Sequence, residues 1–279
     1  MRPHQRRAAV CLAVLALFGG GASAQVSSSV YSFAVVPQYS AVEVYEDWAP
    51  LLARISKDAG LNLKLKLVAS IPVFEAGFMK GEPDFAYMNP YHAVMAHLSH
   101  GYIPLLRDGK SLSGVLLVRK DSAYKTVKDL AGQTIAFPAP NAFGASLYMR
   151  ALLTEQFGIK FESKYVKTHS NVYRHVIRQD VAAGGSIASA LNDELPEVRD
   201  QLRTLYQTPE VASHPVVAHP RVPPAAQKAL AQAFFDLTQD EAGRALLKAV
   251  RISTPVASSY RSDYEPLQLL NVQKFVVSE

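Results

Sequence analysis

The stretch Thr134 to Leu153, TIAFPAPNAFGASLYMRALL, holds the residues whose types and order point most directly at chemistry. A short β-branched and aromatic run, Thr134 to Phe137, is broken by Pro138, Pro140 and Asn141, and Gly144 opens a helix-forming segment, Ala145 to Leu153. The first N–H groups of a helix have no partner inside it and carry the positive end of its dipole, so a negative group in front of Phe143 to Ser146 is favoured. Small residues in the turn let a ligand reach the backbone. The same strand-turn-helix form also occurs where nothing binds.

Other reactive patterns are thin. The chain has no G-x-S-x-G, P-loop, H-E-x-x-H or G-x-G-x-x-G sequence, and no nucleophile beside a base. Enzymatic activity is therefore not expected, and neither is a cofactor. His92, His97 and His100 cluster, but only the last two stand at helical contact spacing and no acid is close in sequence, so they read as an exposed helix face and no metal site is expected. Arg174, His175, Arg178 and Asp180 read as the solvated face of another helix.

The elements that position the anchor stretch follow from hydrophobic periodicity. Arg2, Arg6 and Arg7, the apolar run Ala8 to Phe18 and the A-x-A site Ala22-Ser23-Ala24 predict a signal peptide over 1–24. That run is too short for a membrane anchor, and Cys11, the only cysteine, lies inside it, so the exported chain would have neither disulfide nor lipid. Of the formal charge of +5, three units belong to the leader arginines, leaving +2 on about 255 residues. Nucleic acid is not an expected partner of so balanced a chain.

Tyr31 to Pro37 reads as a strand and Glu43 to Ala59 as a helix with Tyr45, Trp48, Leu52 and Ile55 inward, in which Pro50 makes a kink or marks the first turn. Leu61 to Leu67 alternates as a strand, Phe74 and Phe78 sit on a short helix, and Asp84 to Met88 is a buried strand. It leads through Asn89-Pro90 into a helix with Val94, Met95 and Leu98 inward. After two further strands, ending in Gly114 to Arg119, the same order restarts at Ser122. A helix runs from His169 to Ala182, Ala183 to Ser189 is small and apolar, and the tail is mainly helical. The pattern predicts an α/β fold with mostly parallel sheets in two lobes and a ligand cleft between them.

The ordered series Pro37-Gln38-Tyr39, Trp48-Ala-Pro-Leu51, Gly81-Glu-Pro-Asp84-Phe-Ala, Asn89-Pro-Tyr91, Val118-Arg-Lys-Asp121-Ser, Asp129-Leu-Ala-Gly132, His214-Pro-Val216 and Arg244-Ala-Leu-Leu-Lys-Ala-Val250 resembles the periplasmic binding proteins for phosphonate, phosphate and phosphite of ABC importers. The resemblance covers nearly all of the mature chain. It implies a type II periplasmic-binding-protein fold and capture of a small anion for a transporter permease. It also implies a periplasmic, monomeric protein without membrane insertion. Lobe one is expected over 25–117 and 215–279 and lobe two over 118–214, with hinge crossings near 117–122 and 210–218.

By this resemblance Tyr39 is a ligand contact or an interlobe packing residue. Asn89 and Tyr91 end a strand at the cleft, where Asn89 contacts ligand or shapes the turn, and Tyr87 or Met88 faces the site according to register. His169 stands where the family often has a histidine near the anion. Two departures are plain. The family's Ser-Thr-Ser-Gly cluster is replaced by Asn141-Ala-Phe-Gly144-Ala145-Ser146, in which only Asn141 and Ser146 keep polar side chains, and each lost hydrogen bond to a charged oxygen is worth about 1.5–3 kcal/mol. His214 stands where aminophosphonate binders carry an acid. Both argue for a different, less charged or more apolar ligand. A sensory module for a receptor kinase and an enzyme on the same scaffold are the alternatives.

Overall fold

A computed structural model describes residues 29–277, so the expected leader and its cleavage site lie outside the described residues. The chain opens with β1 (Val30–Val35), α1 (Ala41–Ala59), β2 (Asn62–Lys66), α2 (Ile71–Met79), β3 (Phe85–Tyr87), α3 (Pro90–His100) and β4 (Ile103–Asp108). It then builds β5 (Gly114–Arg119), β6 (Thr134–Phe137), a helical segment containing α4 (Tyr148–Ala151), β7 (Glu162–Tyr165), α5 (His169–Ile177), β8 (Ala183–Ile187), α6 (Ala188–Asn192), α7 (Pro196–Arg199) and β9 (Leu202–Gln207). It returns as β10 (Pro215–Ala218), α8 (Pro224–Asp236), α9 (Glu241–Ala249) and β11 (Pro255–Ala257), followed by short helical turns.

Two sheets result, in the orders β11-β4-β10-β3-β1-β2 and β7-β6-β8-β5-β9. Both are mixed. Parallel pairing is confined to β1 with β2 and β3, and β6 with β7 and β8, while the other five pairings run antiparallel. The expected mostly parallel sheets therefore give way to mixed ones, because the strands flanking each passage between sheets enter against their neighbours. The first passage also falls earlier than 117–122. β5 pairs with β8 and β9, so the chain leaves the first sheet between Asp108 and Gly114 and returns between Gln207 and Pro215.

In the first lobe, α1 is capped by the Ser40 hydroxyl, which accepts from the Glu43 amide at 3.2 Å, and closed by Gly60 in the left-handed region. The helix runs through Pro50, burying Val44, Trp48, Leu51, Leu52 and Ile55; Tyr45 faces solvent, as does Leu98 on α3. In the second lobe the small run Ala183–Ile187 is an interior strand rather than a linker, and its composition has a steric cause. A Cβ on Gly185 would stand 2.1 Å from the Ala145 carbonyl oxygen, and one on Gly114 would stand 2.2 Å from that of Gly144. Only glycine lets β5 and β8 carry the backbone of Phe143–Leu147 so closely. Among the described residues no helix is long and apolar enough to cross a membrane.

Candidate functional site

The anchor stretch folds locally as its composition requires. Phe143–Leu147 is a wide helical turn in which the Ala142 carbonyl accepts from both Ser146 and Leu147, at 2.8 and 3.0 Å. Its side chains are nevertheless consumed inside the fold. Asn141 donates through Nδ2 to Glu75 Oε2 and to the Val277 carbonyl, both at 3.0 Å, and its Oδ1 accepts from the Val277 amide at 3.1 Å. Its carbonyl accepts from Asn89 Nδ2 at 3.2 Å. Ser146 Oγ donates to the Pro140 carbonyl at 3.0 Å and accepts from Arg150 Nε at 3.2 Å, while Arg150 Nη2 donates to the carbonyls of Pro140 and Phe275, each at 2.7 Å. Asn141 through Ala151 is buried throughout, and several of these residues join the apolar core of the first lobe.

A cavity of about 860 Å³ opens between the two sheets. The first lobe contributes Tyr39, Tyr87, His214 and Arg251, and the second contributes Ser113, Ser189, Asp193 and Gln207. Of the sequence-predicted residues, Tyr39, Tyr87 and His214 line it, whereas Asn89, Tyr91, His169, Asn141, Gly144, Ala145 and Ser146 do not. Register settles the strand-end ambiguity: Tyr87 pairs with Val216 on β10, and its ring lies tilted against Trp48 at 4.8 Å and stacks on His214 at 5.5 Å. Met88 is fully buried. Asn89 caps α3, accepting from the His92 amide at 2.8 Å, and so carries the turn-shaping role. Tyr91 is buried on the same helix. His169 stands behind Tyr39, with ring centroids 6.4 Å apart, and its Nδ1 meets Ser186 Oγ at 2.8 Å, which in turn meets the Tyr173 hydroxyl at 2.7 Å.

The electrostatics of this wall are set by burial. Burial, and then the field of Arg251, push His169 down to about 4. Burial, and then His92 and His169, push His214 down to about 3. Both imidazoles are neutral at physiological pH. Tyr39 is raised, chiefly by burial, with Arg251 opposing. His214 Nε2 and His92 Nδ1 are buried without a hydrogen-bond partner.

Sequence reasoning missed three features. His92 is fully buried rather than on an exposed face; its Nε2 lies 2.8 Å from Glu75 Oε1, an acid brought across from α2, seventeen residues away in sequence. His97 and His100 also miss the expected common face, since His97 Nδ1 meets the Tyr102 carbonyl at 2.9 Å while His100 sits near His219. Among the described residues no group of three or more His, Cys, Asp or Glu side chains is placed to hold a metal. Arg251 was invisible because it lies one residue beyond the last matching motif. It adopts a left-handed backbone (φ 63°), lies 3.9 Å over the Tyr39 ring, and reaches Glu43, Asp47 and Asp193 at 3.6, 3.2 and 3.3 Å.

Two mixed α/β lobes, a chain that passes twice between them and a cavity at their junction define the two-lobed binding-protein class. Residues 33–264 match the family described as ABC transporter, phosphonate, periplasmic substrate-binding protein, and the chain belongs to that family. The phosphate-import protein PhnD of Mycolicibacterium smegmatis is 25% identical over 207 residues, or 68% of this chain, and the chain spans 62% of that relative's length. PhnD1 from Prochlorococcus marinus (MIT 9301), solved in complex with methylphosphonate, has a TM-score of 0.79 at 15% identity, covering 88% of this chain and 98% of its own. The binding protein component of an ABC phosphonate transporter from Pseudomonas aeruginosa gives 0.77 at 16% identity, covering 88% and 87%. At these identities the two structures speak for the fold.

Proposed function

We propose that this chain is the exported solute-binding component of an importer. It closes two lobes around a small oxyanion of the phosphonate, phosphite or phosphate kind and presents it to a membrane permease as a monomer. The observation that carries this reading is the cavity between the sheets, where Tyr39, Tyr87 and His214 converge and His214 leaves a buried ring nitrogen without a partner. A buried polar atom left unpaired costs about 1–3 kcal/mol, a cost that a bound oxygen relieves. Tyr39 and Tyr87 supply hydroxyls on rigid aromatic walls, and His169, held by Ser186, supports Tyr39 from behind. Asn141 and Ser146 hold the lobe and the tail together rather than the ligand.

Lobe closure is the working motion, with 109–113 and 208–214 as the segments that rotate. A thermal-shift screen of phosphate, phosphite, methylphosphonate, sulfonates and carboxylates, followed by small-angle scattering, tests the proposal. A raised melting temperature together with a smaller radius of gyration is expected for at least one phosphorus oxyanion. No shift with any of them removes the reading.

A further inference from the structure

The cavity wall differs in charge from what a dianion requires. Arg251, the least exposed of the three cations that line it, is already shared by Glu43, Asp47 and Asp193. Asp108 also lines the cavity, buried, and is held by Thr254 Oγ1 at 2.6 Å and by the amides of Lys110 and Ser253 at 3.1 and 3.2 Å. Lys110 and Lys248 stand exposed at the rim. The groups that face His214 are Tyr87 on β3, His92 on α3 and His169 on α5, with Asp108 and Arg251 on the same cavity wall. His214 is itself buried, is stacked on Tyr87 and has Nε2 unpartnered, so it brings to this wall one unused hydrogen-bonding nitrogen and no fixed charge.

We propose that His214 sets the charge specificity of the cavity, sharing a single proton between its Nε2 and a ligand oxygen, so that the oxyanion is held as its singly charged, protonated form rather than as a bare dianion. The inference rests on the reading of the chain as an oxyanion-binding protein. A second charge would be buried beside Asp108, with Arg251 already paired and Lys110 and Lys248 exposed to water, and that desolvation is the largest cost such a site imposes. A ligand P–OH that donates its proton in a hydrogen bond to a neutral imidazole nitrogen pairs without it. The burial that keeps His214 uncharged in the free protein agrees with this.

Titration calorimetry with methylphosphonate, run at about pH 6 and about pH 8.5 in two buffers of different ionisation enthalpy, counts the protons. Uptake of about one proton is expected at the higher pH, and affinity should fall roughly tenfold per pH unit above the ligand's second pKa. His214→Phe keeps a ring against Tyr87 and removes both nitrogens; it should bind at least about tenfold more weakly at the lower pH, while His214→Gln recovers part of the loss. Should His214→Phe fail to fold, the proton count on the unaltered protein and the glutamine variant decide. Undiminished affinity at the higher pH with no proton uptake, or tight binding by His214→Phe, overturns the proposal and leaves oxyanion binding standing. Absence of binding by methylphosphonate, phosphite and phosphate alike overturns both.

Discussion

The turn Asn141–Ser146 and the wall formed by Tyr39, Tyr87 and His214 were equally expected to touch a ligand, and they differ in what their polar atoms do. In the turn every side-chain donor and acceptor is spent: Asn141 ties Glu75 to the tail at Val277, and Ser146 braces Arg150 and Pro140. In the wall a buried nitrogen of His214 is left over. Residue type marks both regions as polar, and the hydrogen bonds already made inside the fold are what separate them.

The comparison depends first on the close seating of the turn against β5 and β8. Gly185→Ala places a methyl 2.1 Å from the Ala145 carbonyl oxygen, and should cost about 3 kcal/mol or more or abolish folding of the second lobe, read from the urea midpoint. Next in size is acid sensitivity of the wall. His169 and His214 have native values near 4 and near 3 against an ordinary 6.5, so the unfolded chain binds protons that the native one refuses. Their contribution is complete above about pH 6.5 and is lost as pH falls from there toward 4 and 3, at up to about 1.4 kcal/mol per pH unit for each group. Urea titrations of the free protein from about pH 7 to about pH 4.5 should show stability declining, and His169→Gln should lower the slope. An unchanged slope would mean that His169 is protonated in the native state.

The two regions should also separate by readout. Asn141→Ala removes the bonds to Glu75 and Val277 and is expected to cost about 2–3 kcal/mol in stability with little change in the affinity of the folded protein for an oxyanion. Tyr87→Phe should show the reverse, with affinity lost and the unfolding midpoint nearly kept, because its ring packing on Trp48 survives. If Asn141→Ala instead weakens binding without shifting the midpoint, the roles assigned to the two regions are exchanged.

Much of the fold was legible because periodicity reports burial directly. The helix Ala41–Ala59, the strand at Phe85–Tyr87 and the break at Asn89-Pro90 all fall where the apolar spacing places them. The passage between sheets was misplaced because Gly114–Arg119 is apolar enough to serve either sheet, and pairing with β8 and β9 decides the matter, which a single strand cannot announce. Tyr39, Tyr87 and His214 were legible as polar residue types, and the structure brings all three to the cavity between the sheets. What was not legible was pairing across long sequence distance. Glu75 reaches His92 from another helix, and the tail at 275–277 reaches Asn141 and Arg150 from the far end of the chain.

Arg251 provides the smallest test and the one that joins the lobes. It stacks on Tyr39 from the first lobe and meets Asp193 of the second at 3.3 Å, yet that nitrogen lacks hydrogen-bond alignment and the Asp193 side chain is 56% exposed. Water therefore screens the pair, and a coupling of about 0.2–1 kcal/mol is expected from a double-mutant cycle of Arg251→Gln and Asp193→Asn. The effect should shrink as salt is raised, since screening acts on this contact and not on the buried bonds of Asn141. Because the pair crosses between the lobes, its loss should also enlarge the radius of gyration of the free protein. A coupling that persists at high salt would place Arg251 with the buried, fully committed bonds of the turn rather than with the cavity wall.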